Sequence, residues 1–151
     1  MNMRMLWKFA LFGVLLLPPA CFARDVALIA QKDSTPSEIT SVDLSKLLKT
    51  EVPKWPDGTK MVIFLGDPAS TESHVLLQKI FKVAPGDVPA FLESHKDTIL
   101  VMRSDDLVLK AVANRPGSIG VVNVYSINSA VKVLRLDGKL PLEQGYLLHG
   151  N

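Results

Sequence analysis

Residues 99–124, ILVMRSDDLVLKAVANRPGSIGVVNV, contain two apolar runs separated by an amphipathic segment and a Pro-Gly break. The runs at 99–102 and 119–124 have the length and composition of buried strands. Between them, Ser104-Asp105-Asp106 is a typical helix start, because acidic side chains are favourable near the positive end of the helix dipole. We expect this helix to bury Leu107, Val108, Ala111 and Val112. The stretch therefore predicts strand, helix and strand in succession, which is typical of an α/β fold.

The same alternation extends to both sides of this stretch. Apolar runs of strand length lie at 26–30 (VALIA), 61–65 (MVIFL) and 131–136 (VKVLRL). The last run is followed by Asp137-Gly138, a typical turn. We predict one α/β domain with a mixed, mostly parallel sheet flanked by helices.

Three further helices are expected between the strands. Ser41 or Asp43 can cap a short first helix. Ser70, Thr71 or Ser73 opens a second helix, and a third begins near residue 87, where a proline is tolerated in the first turn. The apolar side chains at helical spacing are Leu44, Leu47 and Leu48 in the first helix and Val75, Leu76, Ile80 and Phe81 in the second.

Residues 1–23 have the three-part pattern of a secretory signal peptide. Two basic residues come before an uncharged apolar run at 9–17, and a Pro-Pro break and the tripeptide Cys-Phe-Ala at 21–23 follow it. The run is too short to span a hydrocarbon core of ~30 Å, which needs ~20 helical residues. We expect cleavage after Ala23, one domain over 24–151, and no transmembrane segment in the mature chain.

Cys21 has two interpretations. It resembles the lipidated cysteine of bacterial lipoproteins, although two prolines precede it where an aliphatic and a small residue are usual. Alternatively, it is a small residue that leaves with the signal, and the mature chain then has no cysteine and no disulfide. We predict the second case and a periplasmic or secreted location, with a lipoprotein anchored through Cys21 as the alternative.

Charge and motifs argue against several classes of function. The 17 basic and 15 acidic residues give a net charge of +2, and the basic residues are scattered, so we expect no nucleic-acid partner. His74, His95 and His149 have neither metal-ligand nor catalytic spacing. No G-x-S-x-G, P-loop or G-x-G-x-x-G sequence occurs. We predict no catalytic residues, no metal and no cofactor.

A small basic patch near Trp55 has no assigned role at this level. Lys46, Lys49 and Lys54 lie close to this tryptophan in sequence, and a solvated helix face is the simplest interpretation. Tyr125 and Tyr146 likewise match no motif.

Three segments together resemble the phosphate-type periplasmic substrate-binding proteins. Residues 44–58 (LSKLLKTEVPKWPDG) are similar to the family pattern L-x-x-I-F-x-G-x-x-x-x-W-x-D-G. Residues 113–121 (ANRPGSIGV) are similar to V-x-x-x-P-G-A-I-G-Y, and residues 131–138 (VKVLRLDG) to V-K-x-L-x-I-D-G. The order and spacing also agree over nearly all of the mature chain. The resemblance implies a periplasmic-binding-protein-like fold.

This resemblance implies one lobe of a two-lobed protein, because two α/β lobes need a far longer chain. In the family, a helix start with the pattern R-x-x-x-S-G-T holds phosphate, and Ser70 matches its serine. Gly66 stands in the place of the arginine, Thr71 in that of the glycine, and Glu72 in that of the threonine. The motif is therefore only partly present.

Ser70, Thr71 and Ser73 are the candidate ligand-binding residues. Free amides at a helix N-terminus, together with hydroxyls, form a natural site for a small, phosphate-like oxyanion. The alternative is that Ser70 only caps the helix, with Glu72 in its first turn. Two functions therefore remain open. The protein is either a substrate-binding-like domain that binds an oxyanion or a structural module of the cell envelope, acting through a partner protein or a homodimer.

Overall fold

The computed structural model describes residues 25–49 and 53–150. The predicted signal peptide at 1–23, with Cys21, lies outside these residues. The strands are β1 (Val26–Gln31), β2 (Glu38–Ile39), β3 (Val62–Leu65), β4 (Ile99–Val101), β5 (Ser118–Asn123), β6 (Val131–Val133) and β7 (Arg135–Leu136). The α-helices are α1 (Ser41–Leu47), α2 (Thr71–Lys79), α3 (Val88–Ser94) and α4 (Asp105–Ala113). None of the helices within the described ranges is long and apolar enough to cross a membrane.

The main sheet has the strand order β4-β3-β5-β1-β6. β3 is parallel to β4 and to β5, so that Ile63 pairs with Ile99 on one side and with Ile119 on the other. β1 is antiparallel to β5 and to β6. Every strand except β1 therefore runs in the same direction, which confirms the predicted mixed, mostly parallel sheet.

Helices cover both faces of this sheet because the strands are apolar on both sides. Successive residues of a strand point to opposite faces, and in β1 Leu28 packs with one apolar cluster and Ile29 with the other. The first cluster contains buried residues of α1, α2 and α3, and the second contains those of α4. The fold is thus a three-layer α/β sandwich, as the sequence predicts.

The start of α1 differs from the prediction. Thr40, and neither Ser41 nor Asp43, is the N-cap, and its side chain accepts a hydrogen bond from the Asp43 amide at 3.0 Å. The Ser41 amide donates instead to Oδ1 of Asp137 at 2.8 Å. This contact joins the start of α1 to the turn after β7, and the helix begins one residue earlier than a Ser41 N-cap would give.

The prediction that Leu107 is buried in α4 is wrong. Its side chain is 44% exposed, whereas Leu109 is buried together with Val108 and Val112. The helix packs very closely on β5, since a Cβ at Gly120 would lie 2.6 Å from Val112 and 2.8 Å from Val108. This close approach leaves no space for a side chain at position 120, and Leu107 lies on the side of the helix, away from the sheet.

The single strand predicted over 131–136 is divided between two sheets. β6 pairs with β1, and the Leu134 amide still donates to the Leu28 carbonyl at 2.8 Å. β7 then pairs in parallel with β2, which has no apolar run to reveal it in the sequence. Asp137 and Gly138 follow with φ of 52° and 78°, which forms the expected turn.

Two of the segments that carry the sequence resemblance meet at Trp55. Its indole Nε1 donates a hydrogen bond to the Gly117 carbonyl at 2.9 Å, and the half-buried ring packs against the first apolar cluster. Gly117 has φ of 78°, and a Cβ there would lie 2.5 Å from the Thr59 side chain. The glycine is therefore required both by its backbone conformation and by the lack of space.

Candidate functional site

The carboxyl ends of β3, β4 and β5 lie together at one edge of the main sheet, here called the carboxyl edge. In open α/β sheets, ligands bind in the crevice outside this edge. The start of β1 lies there too, because this strand is antiparallel and Val26 pairs with Asn123 at the end of β5. Ligand-binding residues are therefore expected at the carboxyl edge.

Ser70 and Thr71 lie at the carboxyl edge, in the loop after β3 and the first turn of α2. Ser70 is the N-cap of α2; its Oγ accepts from the Ser73 amide at 3.2 Å and donates to Ser73 Oγ at 3.1 Å. Thr71 is exposed, but Ser73 is only 1% exposed. The structure thus brings Ser70 and Thr71 to the surface of the edge and turns Ser73 into the interior.

The first amides of α2 are still open to a ligand. In the described part of the chain, neither the Thr71 nor the Glu72 amide has an acceptor, as expected for the first turn of a helix. These two donors, with the Thr71 hydroxyl, are the groups that an oxyanion would meet first.

Two carboxylates at the same edge are bonded to the end of β5. Glu72 Oε1 accepts from Asn123 Nδ2 at 2.9 Å. Asp105 Oδ2 accepts from the Asn123 amide at 3.0 Å and from Ser126 Oγ at 2.7 Å. Its other oxygen lies beside Gly66, because a Cβ on that glycine would be 3.7 Å from Asp105 Oδ1. Two carboxylates are therefore fixed at the end of β5 by donors of the same chain.

A third carboxylate, that of Asp25, is buried at the start of β1. It accepts hydrogen bonds from the Leu142 amide and from His149 Nδ1, which hold the C-terminal segment against the sheet. Tyr146 in that segment donates its hydroxyl to the Val26 carbonyl at 2.7 Å. Burial, and secondarily the charge of Asp25, raises the pKa of Tyr146 well above the usual value of a phenol.

The local charge at the carboxyl edge is unfavourable for a free anion. Glu72 and Asp105 lie within the network described above, and Asp67 in the loop after β3 is exposed, with Oδ1 accepting from the Ala69 amide at 2.9 Å. Arg103, after β4, is exposed and makes no hydrogen bond or ion pair within the described ranges. Within the described ranges, the edge therefore bonds its own loops in place, and no lysine or arginine forms a hydrogen bond or ion pair with Asp67, Glu72 or Asp105.

The network of Glu72, Asp105, Asn123 and Ser126 was not foreseen from the sequence. Asp105 was identified only as part of a helix start, and its contacts to β5 depend on strand order. One signal was available, since Asp105 and Asp106 are both acidic where one residue is enough for the helix dipole.

Exposed apolar side chains also lie at the carboxyl edge. Tyr125, just after β5, is 76% exposed, and Val101 at the end of β4 and Leu107 in the first turn of α4 are exposed to 46% and 44%. All three belong to segments that leave the same end of the sheet. They lie at different points around this edge, since Val101 lines a cleft with residues of α3 and Leu107 lies on α4 at the other face of the sheet, and the three are here called the apolar rim.

The histidines do not come together. His95 packs on the Phe91 ring with centroids 4.3 Å apart, His149 contacts Asp25, and His74 lies on α2. Within residues 25–49 and 53–150, no group of three or more His, Cys, Asp and Glu side chains is arranged to hold a metal ion.

Solved structures to which this chain is similar include phosphate-transport receptors. The chain superposes on an ABC-type phosphate transport receptor from Vibrio cholerae with a TM-score of 0.68 over 85% of its length, at 15% identity. PstS from Borrelia burgdorferi gives 0.64 over 85% at 17% identity, and a phosphate binding protein from Stenotrophomonas maltophilia gives 0.60 over 79% at 16% identity. This chain has the fold of one lobe of a phosphate-type substrate-binding protein.

The single lobe spans about half of those proteins, namely 54%, 55% and 40% of their respective chains. No protein-family model matches the sequence, and no curated protein matches it either. The resemblance that residues 44–58, 113–121 and 131–138 carry is thus confirmed as a likeness of fold.

Proposed function

We propose that this protein is an exported, non-enzymatic module that uses its single lobe to contact another protein of the cell envelope or a second copy of itself. The observation that carries this proposal is the carboxylate network at the carboxyl edge. Glu72 and Asp105 already accept the hydrogen bonds that Asn123 and Ser126 can give. The carboxylates beside the place where a related lobe would meet a ligand are therefore bonded to their own chain, although the Thr71 and Glu72 amides are not.

Electrostatics supports the same proposal. A phosphate-like anion at the α2 start would approach the carboxylates of Glu72 and Asp67, and like charges in a partly buried site repel strongly. Gly66 supplies no charge-assisted hydrogen bonds to offset this repulsion. The apolar rim of Val101, Leu107 and Tyr125 then offers contact area at the same edge.

A second candidate function is weak binding of a small oxyanion at Ser70 and Thr71. The observation in its favour is that the Thr71 and Glu72 amides have no acceptor in the described ranges. A chain of about half the length of its structural neighbours would need a second copy or a partner protein to close a cleft over the anion.

Calorimetric titration of the mature chain with phosphate, sulfate and molybdate separates the two functions. Heats equal to those of dilution up to about 1 mM ligand are expected for the interaction module. Saturable binding that Thr71→Pro abolishes would instead establish the oxyanion site, since proline removes one of the open amides. Thr71→Ala is the matched control, because it keeps the amide.

The contact surface has its own test in living cells. A photo-crosslinking amino acid placed at Tyr125 should give a discrete adduct, whereas the same group at Val42, which is 56% exposed on α1, should give none. Equal labelling at the two positions, or none at either, would count against a partner at the carboxyl edge.

Export is the remaining part of the proposal, and it rests on the sequence of residues 1–23. Intact mass of the protein from cell extracts should correspond to a chain that begins at Arg24. A mass that includes Cys21 and two or three acyl chains would place the protein among lipoproteins, and an intact residue 1 would contradict export by cleavage.

A further inference from the structure

A groove lies at the end of the molecule opposite to the carboxyl edge. It is bounded by α1, by β2 and by the segment that leads into β3, and its volume is about 480 Å³. Cavities of about 300–1,000 Å³ are the usual size for small ligands. We call it the Trp55 groove.

The walls of the Trp55 groove are apolar and partly rigid. Trp55 is held by its hydrogen bond to the Gly117 carbonyl, so its indole N–H is already used and the ring is fixed in orientation. The other apolar walls are Pro36, Ile39, Leu47 and Pro56. Prolines and a fixed indole lose little conformational freedom when a ligand binds, and they favour an apolar or aromatic body.

Charged side chains of both signs line the same groove. Lys46 and Lys54 supply ammonium groups, and Glu38 and Asp43 supply carboxylates. All four residues are exposed, and none forms an ion pair within the described ranges. This contrasts with the carboxyl edge, where the carboxylates are engaged by the protein itself.

We infer that the Trp55 groove binds a small zwitterion with an apolar body, such as a free aromatic or aliphatic amino acid. The body would lie against Trp55 and the two prolines, the carboxylate near Lys46 or Lys54, and the ammonium near Glu38 or Asp43. A ligand with one charge would leave one pair of groove residues without a partner. This site is independent of the proposed function, because it shares no residue with the carboxyl edge.

Trp55 itself reports on binding. The chain contains two tryptophans, Trp7 and Trp55, and Trp7 belongs to the predicted signal peptide, so Trp55 is the only one in the mature chain. Titration with L-phenylalanine should change its fluorescence and shift the ¹⁵N-indole NMR resonance along a saturable curve below about 10 mM. 3-Phenylpropionate and phenethylamine, which keep the ring and remove one charge each, should bind at least about threefold more weakly.

Variants of the groove test the assigned charges without disturbing Trp55. Lys46→Gln combined with Lys54→Gln should weaken phenylalanine binding at least about threefold, because exposed charge pairs contribute modestly. Lys49→Gln, which removes a lysine near α1 that does not line the groove, should leave the curve unchanged. A flat titration in both signals, equal binding of the three probes, or an equal effect of the Lys49 variant overturns the inference.

Discussion

At the carboxyl edge, the carboxylates of Asp25, Glu72 and Asp105 accept hydrogen bonds from the chain itself, whereas the charged residues of the Trp55 groove have no ion-pair partners in the described ranges. The first region therefore uses its charges to fix loops and termini, and the second leaves its charges available. Substitutions at the edge should cost stability, and substitutions of the groove charges should cost little.

The largest expected effect is at Gly117, which does not line the groove but holds Trp55 through its carbonyl. Gly117→Ala should lower the free energy of unfolding by about 3 kcal/mol, because it combines positive-φ strain with a clash against Thr59. Gly58→Ala is the control: it has φ of 86° but open space around it, so about 1 kcal/mol is expected. Urea denaturation measures both values. Equal losses would show that packing around Gly117 is looser than described.

The next effect tests the carboxylate network directly. Asp105→Ala should cost about 2 kcal/mol, because the Asn123 amide and the Ser126 hydroxyl lose their shared acceptor. The neighbouring Asp106 is exposed and makes no such contact, so Asp106→Ala should stay within about 0.5 kcal/mol. If the two aspartates cost the same in chemical denaturation, the edge is held by something other than this network.

Tyr146 should make the stability of the folded chain depend on pH in the alkaline range. Its pKa is raised by burial, so the folded state holds the phenol proton more tightly than the unfolded chain does. The resulting stabilisation is complete below pH ~10, the ordinary value of tyrosine, and declines as the pH rises above it. Tyr146→Phe should cost about 1.5 kcal/mol at neutral pH and remove this part of the decline.

Denaturation curves between pH ~9 and ~11 test the tyrosine, with Tyr125→Phe as the control because that side chain is 76% exposed. The control should keep the pH dependence of the parent. A Tyr146 variant with an unaltered alkaline decline would assign that decline to other groups.

The smallest effect concerns the helix cap. Ser70→Ala should cost about 1 kcal/mol, since the Ser73 amide loses its acceptor. For an interaction module, this loss should be the same with and without added phosphate. Thermal unfolding measures it, with Ser45→Ala on α1 as a control near zero. A phosphate-dependent difference would favour the oxyanion candidate and weaken the contrast between the two regions.

Sequence patterns were sufficient for features that depend on local composition. The strands β1, β3, β4 and β5 are each built around a short apolar run, and Ser70 and Ser104 cap the second and fourth helices. The Trp55 and Gly117 segments were recognised in advance because each is a local motif. Their hydrogen bond joins residues 62 positions apart in the chain.

Long-range contacts explain what the sequence did not show. β2 is only two residues long and exists because β7 pairs with it, so no local pattern marks it. The Asp105 contacts with Asn123 and Ser126 depend on β5 running back along α4, so that the end of the strand meets the start of the helix. Likewise, the four charged residues of the Trp55 groove come from β2, α1 and the loop before β3, which meet only in the folded chain.

The position of β1 has a consequence for how the chain folds. This first strand is flanked by two of the last ones, with Val26 paired to Asn123 and Ile29 to Val133. β1 therefore cannot pair with strands on both sides until the chain has been synthesised as far as residue 133. Such a high sequence separation between partners predicts folding in milliseconds to seconds, slower than local helix formation. If the chain is exported from its N-terminus, as proposed above, β1 would lack its partner in β6 until residue 133 has crossed the membrane.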